Sequence, residues 1–215
     1  MFDQVHLKII NLEHRDDRRN ECLDELRHVG LTDAGSALFF KAKYLKNFGA
    51  LGCALSHAMV LSDFLFNEEK PYALILEDDF SIRNTQSFVE NINQLLNLAK
   101  SWDVFLLGHN QALPIEATQV ANTLRVINSQ TASGYLVSRN YASKLIETFF
   151  RSAELLKTYD SLPSPNKELA RHHFCCDMLW KELQIKDRFW ATFPSSIFQR
   201  KSYSDIESKV VDYGV

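Results

Sequence analysis

Apolar residues along this chain fall into short runs that alternate with stretches of helical spacing. Residues 5–11, rich in Val, Leu and Ile, predict a first strand. Residues 16–29 follow as a helix with Cys22, Leu23, Leu26 and Val29 on one side and Gly30 as its stop. Residues 37–44 predict a second, shorter strand, and 51–66 a helix with Leu51, Leu55, Ala58, Leu61 and Leu65 inward. Residues 72–76 form an apolar run after Pro71 and suit the centre of a sheet. A helix over 85–99, strands at 103–108, 123–128 and 132–138, and a helix over 139–150 come next. Residues 151–174 read as irregular, with Pro163 and Pro165 marking a loop. A short helix at 176–183 and a strand at 188–193 end the series. This alternation predicts an α/β fold, a single domain over residues 1–215 with a mostly parallel central sheet flanked by helices.

In such sheets ligands gather beyond the carboxyl ends of the strands. The 72–76 run ends there in Glu77, Asp78 and Asp79. Adjacent carboxylates repel one another and are costly at a half-buried strand end unless a cation compensates them. Oxygen ligands suit a hard divalent ion, Mg²⁺ or Mn²⁺, shared with a phosphate. A solvated acidic turn is the plainer alternative.

Composition narrows the classes. Of 215 residues, 46% are hydrophobic, which supplies a full core, and a net charge of -3 leaves no basic excess for wrapping nucleic acid. Cys22, Cys53, Cys175 and Cys176 show no regular framework, and the N-terminus runs into a strand without a signal-peptide pattern. The expectation is a protein with reduced thiols in the cytoplasm. No apolar run approaches the roughly 20 residues that span a bilayer, so membrane contact is expected to be peripheral. His172, His173, Cys175, Cys176 and Asp177 invite a zinc reading, but sequence neighbours rarely all face one ion and a second ligand pair is missing nearby.

Several segments together resemble glycosyltransferase family 25. They are Ile10-Asn11-Leu12 with Arg15, Asp17 and Arg18; Gly49-Ala-Leu-Gly-Cys-Ala-Leu-Ser-His57; Ala73-Leu-Ile-Leu-Glu-Asp-Asp79; Thr131-Ala-Ser-Gly-Tyr-Leu-Val-Ser138; and Gln199 followed by Ser204-Asp205-Ile206. The chain is most similar to the bacterial branch, which builds lipopolysaccharide and lipooligosaccharide. The resemblance implies a GT-A-like fold, a nucleotide-sugar donor (UDP-galactose first) and inverting transfer to a glycolipid or oligosaccharide at the inner face of the inner membrane. It also implies a nucleotide-sugar half over about residues 1–110 and an acceptor half over about 111–215. Loops 109–122 and 151–174 are expected to set the acceptor.

Such a transfer needs the leaving diphosphate neutralised, the donor held and an acceptor hydroxyl deprotonated. Glu77 and Asp79 are the expected metal ligands. Asn11, Arg15, Arg18, Ser56, His57, Asp78 and Gly134 are the expected donor contacts, Gly134 by allowing close backbone approach. Asp177 is the candidate base, although Asp is also a favoured helix N-cap. Gln199 and Asp205 are expected at the acceptor or in a closing loop. Asp16 or Asp17 capping the first helix, a packed His57 and a simple bulge at Gly134 are the structural alternatives. A nucleotidyl- or phosphoryl-transfer enzyme and an inactive glycan- or nucleotide-binding module remain as rivals.

Overall fold

The computed structural model describes residues 2–31, 38–98, 102–110, 115–118, 120–160, 162–163, 166–204 and 209–212. Strand β1 is Val5–Asn11, helix α1 Asp16–His28, β2 Phe39–Lys41 and α2 Gly49–Asn67. Then come β3 (Tyr72–Glu77), β4 (Phe80–Ile82), α3 (Thr85–Asn97), β5 (Val104–Leu106), β6 (Ile115–Ala117), β7 (Thr123–Val126) and β8 (Gly134–Ser138). The chain continues through α4 (Arg139–Tyr159), α5 (Asn166–Phe174), α6 (Cys176–Leu179) and α7 (Lys181–Lys186). It closes on β9 (Phe189–Thr192), β10 (Ile197–Gln199), β11 (Ser202–Ser204) and β12 (Lys209–Val211).

Among the described residues, eight strands form one sheet in the order β2-β1-β3-β8-β5-β9-β7-β6, with helices on both faces. The α/β architecture is as expected, but the sheet is mixed rather than mostly parallel. β1 is parallel to β2 and β3, and β5 to β9, whereas β8 lies antiparallel between β3 and β5, and β7 pairs antiparallel with both β9 and β6. Apolar runs report that a strand is buried, not which way it runs. Direction comes from the connections: the short link between β6 and β7 permits only a hairpin return.

Alternation along the strands divides the core. Ala73 and Ile75 of β3 pack toward α2 and α4, and Leu74 and Leu76 pack toward α1 and α3. Residues 151–174, expected to be irregular, are largely helical. Ala153 and Leu156 continue the buried face of α4, and Tyr159 stacks on Phe174 of α5 with ring centroids 4.9 Å apart. Trp102 and Trp180 are fully buried in the core.

Helix α2 departs from the expectation that no apolar stretch reaches membrane-spanning length. Its 19 residues are long and apolar enough to cross a membrane by length and composition. In the fold it is a core helix, with Ala54, Ala58, Val60, Leu61 and Phe64 fully buried against α4 and the sheet.

Candidate functional site

The period of two along β3 sends its terminal acids to opposite faces. Glu77 follows Ala73 and Ile75 toward α2, where His57 Nε2 lies 3.2 Å from its Oε1. Asp78 follows Leu74 and Leu76 toward α1, where Arg18 donates to its Oδ1 at 2.5 Å. The parallel register pairs Ile10 with Glu77, so Asn11 comes level with Asp78 and donates to its Oδ2 at 2.8 Å. Arg200 donates to the carbonyls of Asp78 and Phe80, at 2.9 and 2.6 Å, and closes the turn from behind.

The acids therefore already have protein cations beside them. Burial would push the Glu77 carboxyl up, but His57, Cys53 and Arg18 together outweigh it and the net shift is downward. Burial would strip the His57 proton, yet Cys53 and the Glu77 carboxylate reverse that and raise the imidazole to about 10. Protonated on both nitrogens, His57 donates to Glu77 and, through Nδ1, to the Tyr135 hydroxyl at 3.0 Å. Asp79 is the member left short. Burial, then Glu77 and Asp78, raise its carboxyl to about 7 despite Arg18 and Gln199.

Helix α2 builds one wall of the site. A Cβ on Gly52 would meet the Lys43 carbonyl oxygen at 2.4 Å, so only glycine lets the 42–45 segment lie against the helix. Ser56, one turn on, fastens that segment: its Oγ accepts from the Lys43 amide at 2.8 Å and donates to the Gly52 carbonyl at 2.7 Å. Cys53 and His57 share the adjoining helix face at i and i+4 and look into the cleft.

The opposite wall comes from the segment before β8 and from α6. Thr131 has φ 70, an unfavourable backbone angle for a β-branched residue. Its amide donates to Asp177 Oδ2 at 3.1 Å and its hydroxyl to Gln199 Oε1 at 3.0 Å. That fixes the Gln199 amide, whose Nε2 donates to Glu77 Oε2 at 3.3 Å and weakly to Asp79 Oδ1 at 3.5 Å. Burial raises the Asp177 carboxyl, with Thr131 opposing. The cleft, about 470 Å³ and open to solvent on one side, is lined by Arg18, His57, Glu77, Asp79, Thr131 and Asp177 among others.

The sequence-predicted residues separate into two groups. Arg18, Ser56, His57, Glu77, Asp78, Asp79, Asp177 and Gln199 line the cleft. Asn11 and Arg15 do not: Asn11 is buried behind it on Asp78, and Arg15 pairs with Asp17 and donates to the Tyr203 carbonyl. Arg15, not an aspartate, is the N-cap of α1, with Asp16 and Asp17 in its first turn. Gly134 also lies away from the cleft, in β8 under Ile197, and serves packing. Asp205 falls outside the described residues.

Sequence reasoning missed Cys53, Thr131, Tyr135, Arg200 and Ser202 as members of the site and its support. It also missed the partners of Cys176, whose sulfur lies 3.9 Å from that of Cys53. The thiol and imidazole beside Cys176 come from Cys53 and His57 of α2. The i, i+4 spacing of Cys53 and His57 was a signal available for it.

The sequence model of glycosyltransferase family 25 (LPS biosynthesis protein) matches residues 41–162, more than half of the chain. A glycosyltransferase 25 family member from Aedes aegypti is 29% identical over 176 residues, covering 66% of this chain and 28% of that protein. The chain thus spans less than a third of the curated relative it matches. Among solved structures, a glycosyltransferase involved in the glycosylation of the major capsid of PBCV-1 superposes with a TM-score of 0.52 at 8% identity, over 95% of this chain and 96% of that one. At that identity the likeness concerns the fold.

Proposed function

The chain belongs to glycosyltransferase family 25, and on that premise we propose that it is a metal-dependent inverting transferase. It moves a hexose, galactose first among the candidates, from a UDP-sugar to a hydroxyl of a surface glycan such as lipooligosaccharide. The observation that supports this reading is the convergence of Glu77 Oε2 and Asp79 Oδ1 on one donor atom, Gln199 Nε2, beside a carboxyl raised to about 7. Two carboxylate oxygens aimed at one point, one of them under-compensated, fit a hard divalent cation, Mn²⁺ or Mg²⁺, better than they fit an amide. When bound, such an ion supplies Lewis-acid neutralisation of the leaving diphosphate.

The chain's own residues carry the other tasks. Arg18, held in place by Asp78 and Ser202, sets a guanidinium beside Asp79 where a diphosphate would rest. Asp177 lines the same cleft, and its Oδ2 is fixed by the Thr131 amide. A carboxylate held there is placed to take the proton of an acceptor hydroxyl as it attacks the sugar carbon opposite the leaving diphosphate. The cleft volume lies within the range usual for small-molecule sites, roughly 300–1,000 Å³. The proposed setting is the cytoplasmic face of a membrane, reached by peripheral contact with a glycolipid acceptor.

The test is release of UDP from a panel of UDP-sugars with and without Mn²⁺, comparing wild type with Asp79→Ala. Slow release from one sugar, dependent on Mn²⁺ and lost in the variant, is the expected result. No release from any sugar, with no thermal stabilisation by UDP under any divalent ion, would overturn the reading in favour of a binding module. Hydrolysis of nucleotides that lack a sugar would favour nucleotidyl or phosphoryl transfer.

A further inference from the structure

A second group of ligand atoms lines the same cleft, and its two thiols play no part in the transfer chemistry above. Cys53 Sγ, Cys176 Sγ and a ring nitrogen of His57 all lie within 4.8 Å of one another. Glu77 Oε1 adds a fourth atom, 3.2 Å from His57 Nε2 and 3.7 Å from Cys53 Sγ. We propose that Cys53, His57, Cys176 and Glu77 form a tetrahedral site for a thiophilic divalent cation, zinc foremost, distinct from the Glu77–Asp79 position.

Three of the separations agree with ligands around one ion. A tetrahedron with zinc–sulfur bonds of about 2.3 Å has a sulfur–sulfur edge of about 3.8 Å, and the two sulfurs here are 3.9 Å apart. Nitrogen and oxygen ligands at about 2.0–2.1 Å give an edge of about 3.4 Å, and a mixed sulfur–oxygen edge is about 3.6 Å. The observed separations are 3.2 and 3.7 Å. A disulfide instead needs sulfurs at about 2.05 Å, so the pair is in non-bonded contact.

Ligand chemistry and support agree with that spacing. Two thiols, an imidazole and one carboxylate oxygen select zinc over Mg²⁺ or Mn²⁺, the reverse of the all-oxygen Glu77–Asp79 pair. His57 Nδ1 lies against the Tyr135 hydroxyl at 3.0 Å, which turns Nε2 toward the cluster as an outer-shell partner does. Cys53 and His57 are one turn apart on α2, Glu77 ends β3 and Cys176 opens α6, so a single ion would tie three elements together. It would also fix one oxygen of Glu77 and leave Oε2 directed at Asp79. Binding releases the thiol and imidazolium protons to solvent and requires no oxidant.

The experiment uses the full chain, stripped with a chelator under reducing conditions and titrated with Co²⁺ and then Zn²⁺. The expected result is one equivalent of cobalt with a thiolate-to-cobalt charge-transfer band and intense tetrahedral ligand-field bands, displaced by one equivalent of zinc. Cys53→Ser and Cys176→Ser should each lose the charge-transfer intensity while keeping the wild-type circular dichroism. Asp79→Ala should keep it while losing UDP release, so the two metal positions succeed or fail separately. Folded wild type that shows no thiolate band, or a Cys53–Cys176 disulfide without metal in the freshly purified protein, would overturn the proposal, and this wild-type readout needs no variant to fold.

Discussion

Replacing Gly134 with alanine would put a Cβ 2.3 Å from Ile197 Cδ1 and 2.8 Å from Leu76 Cδ2. Carbon atoms pack at about 3.5–4.0 Å, so Ile197 would have to retreat by at least about 1.2 Å. It has little room to do so, being fully buried and paired in β10 with Ile82 of β4. Overpacking of this kind costs about 1–3 kcal/mol, and with two clashing neighbours the upper half of that range is expected. Because Gln199 lies two residues on in the same strand, the displacement should also reach the amide that bridges Glu77 and Asp79. Ile197→Val removes the worst clash at a cost of about 0.5–1.5 kcal/mol by itself. The double variant should therefore be more stable than the sum of the singles by about 1 kcal/mol. Urea unfolding with unchanged m-values measures all three. A Gly134→Ala protein of wild-type stability with a raised donor KM, unrelieved by Ile197→Val, would refute the packing argument. It would return this glycine to the donor-approach role that the sequence suggested.

Arg18→Met should destabilise the protein by about 3–5 kcal/mol, since it strands Asp78 in a site where both side chains are largely buried, and Arg18→Met with Asp78→Asn should recover part of that in the same urea assay. Asp177→Asn should lower kcat by about 10²–10⁴ and leave the donor KM little changed, read by steady-state UDP release. His109 gives a pH limb. Burial holds its imidazole below the usual 6.5, against the opposing effect of the Nε2–H bond to the Thr192 carbonyl. The unfolded chain then takes up a proton that the folded chain refuses. This part of the stability is complete above the unfolded pKa and falls as pH drops through it toward the folded value, by at most about 1.4 kcal/mol per unit. His109→Gln should flatten that limb in urea midpoints measured across the mildly acidic range, and an unchanged slope would reject it.

Much of this site could be read from local pattern. The apolar run of β3 located the acids at the carboxyl end of a buried strand. What local pattern could not supply was pairing across the chain. Arg18 meets Asp78 because β1 and β3 lie parallel in one register, and its Ser202 and Tyr203 contacts come from a return of the chain near its far end. Cys176 reads as part of a crowded run of His and Cys until α6 docks beside α2. The antiparallel course of β8 is likewise a property of its neighbours, since Gly134–Ser138 would look the same in either direction. The second half of α4 was misread because the prolines that signal a loop lie beyond its end, at 163 and 165, while Ala153 and Leu156 still pack inward.

The case for a cation at the acidic triplet changes once the neighbours are known. The sequence argument held that three adjacent carboxylates at a half-buried strand end are costly unless a cation compensates them. The fold answers most of that demand itself, with Arg18 on Asp78 and His57 on Glu77, so bare charge repulsion no longer argues for an ion. What survives is narrower and more specific. Among the described residues the Asp79 carboxylate receives a 3.5 Å contact from Arg18 and another from Gln199, and its carboxyl is raised to about 7. The amide bridging it to Glu77 is anchored by Thr131, which also holds Asp177. On the proposed reading a cation entering between Glu77 and Asp79 would displace that amide, which is connected through Thr131 to the candidate base. On that reading metal entry and placement of the base would be parts of one hydrogen-bonded chain, which would give a physical reason for the two sides of the cleft to assemble together.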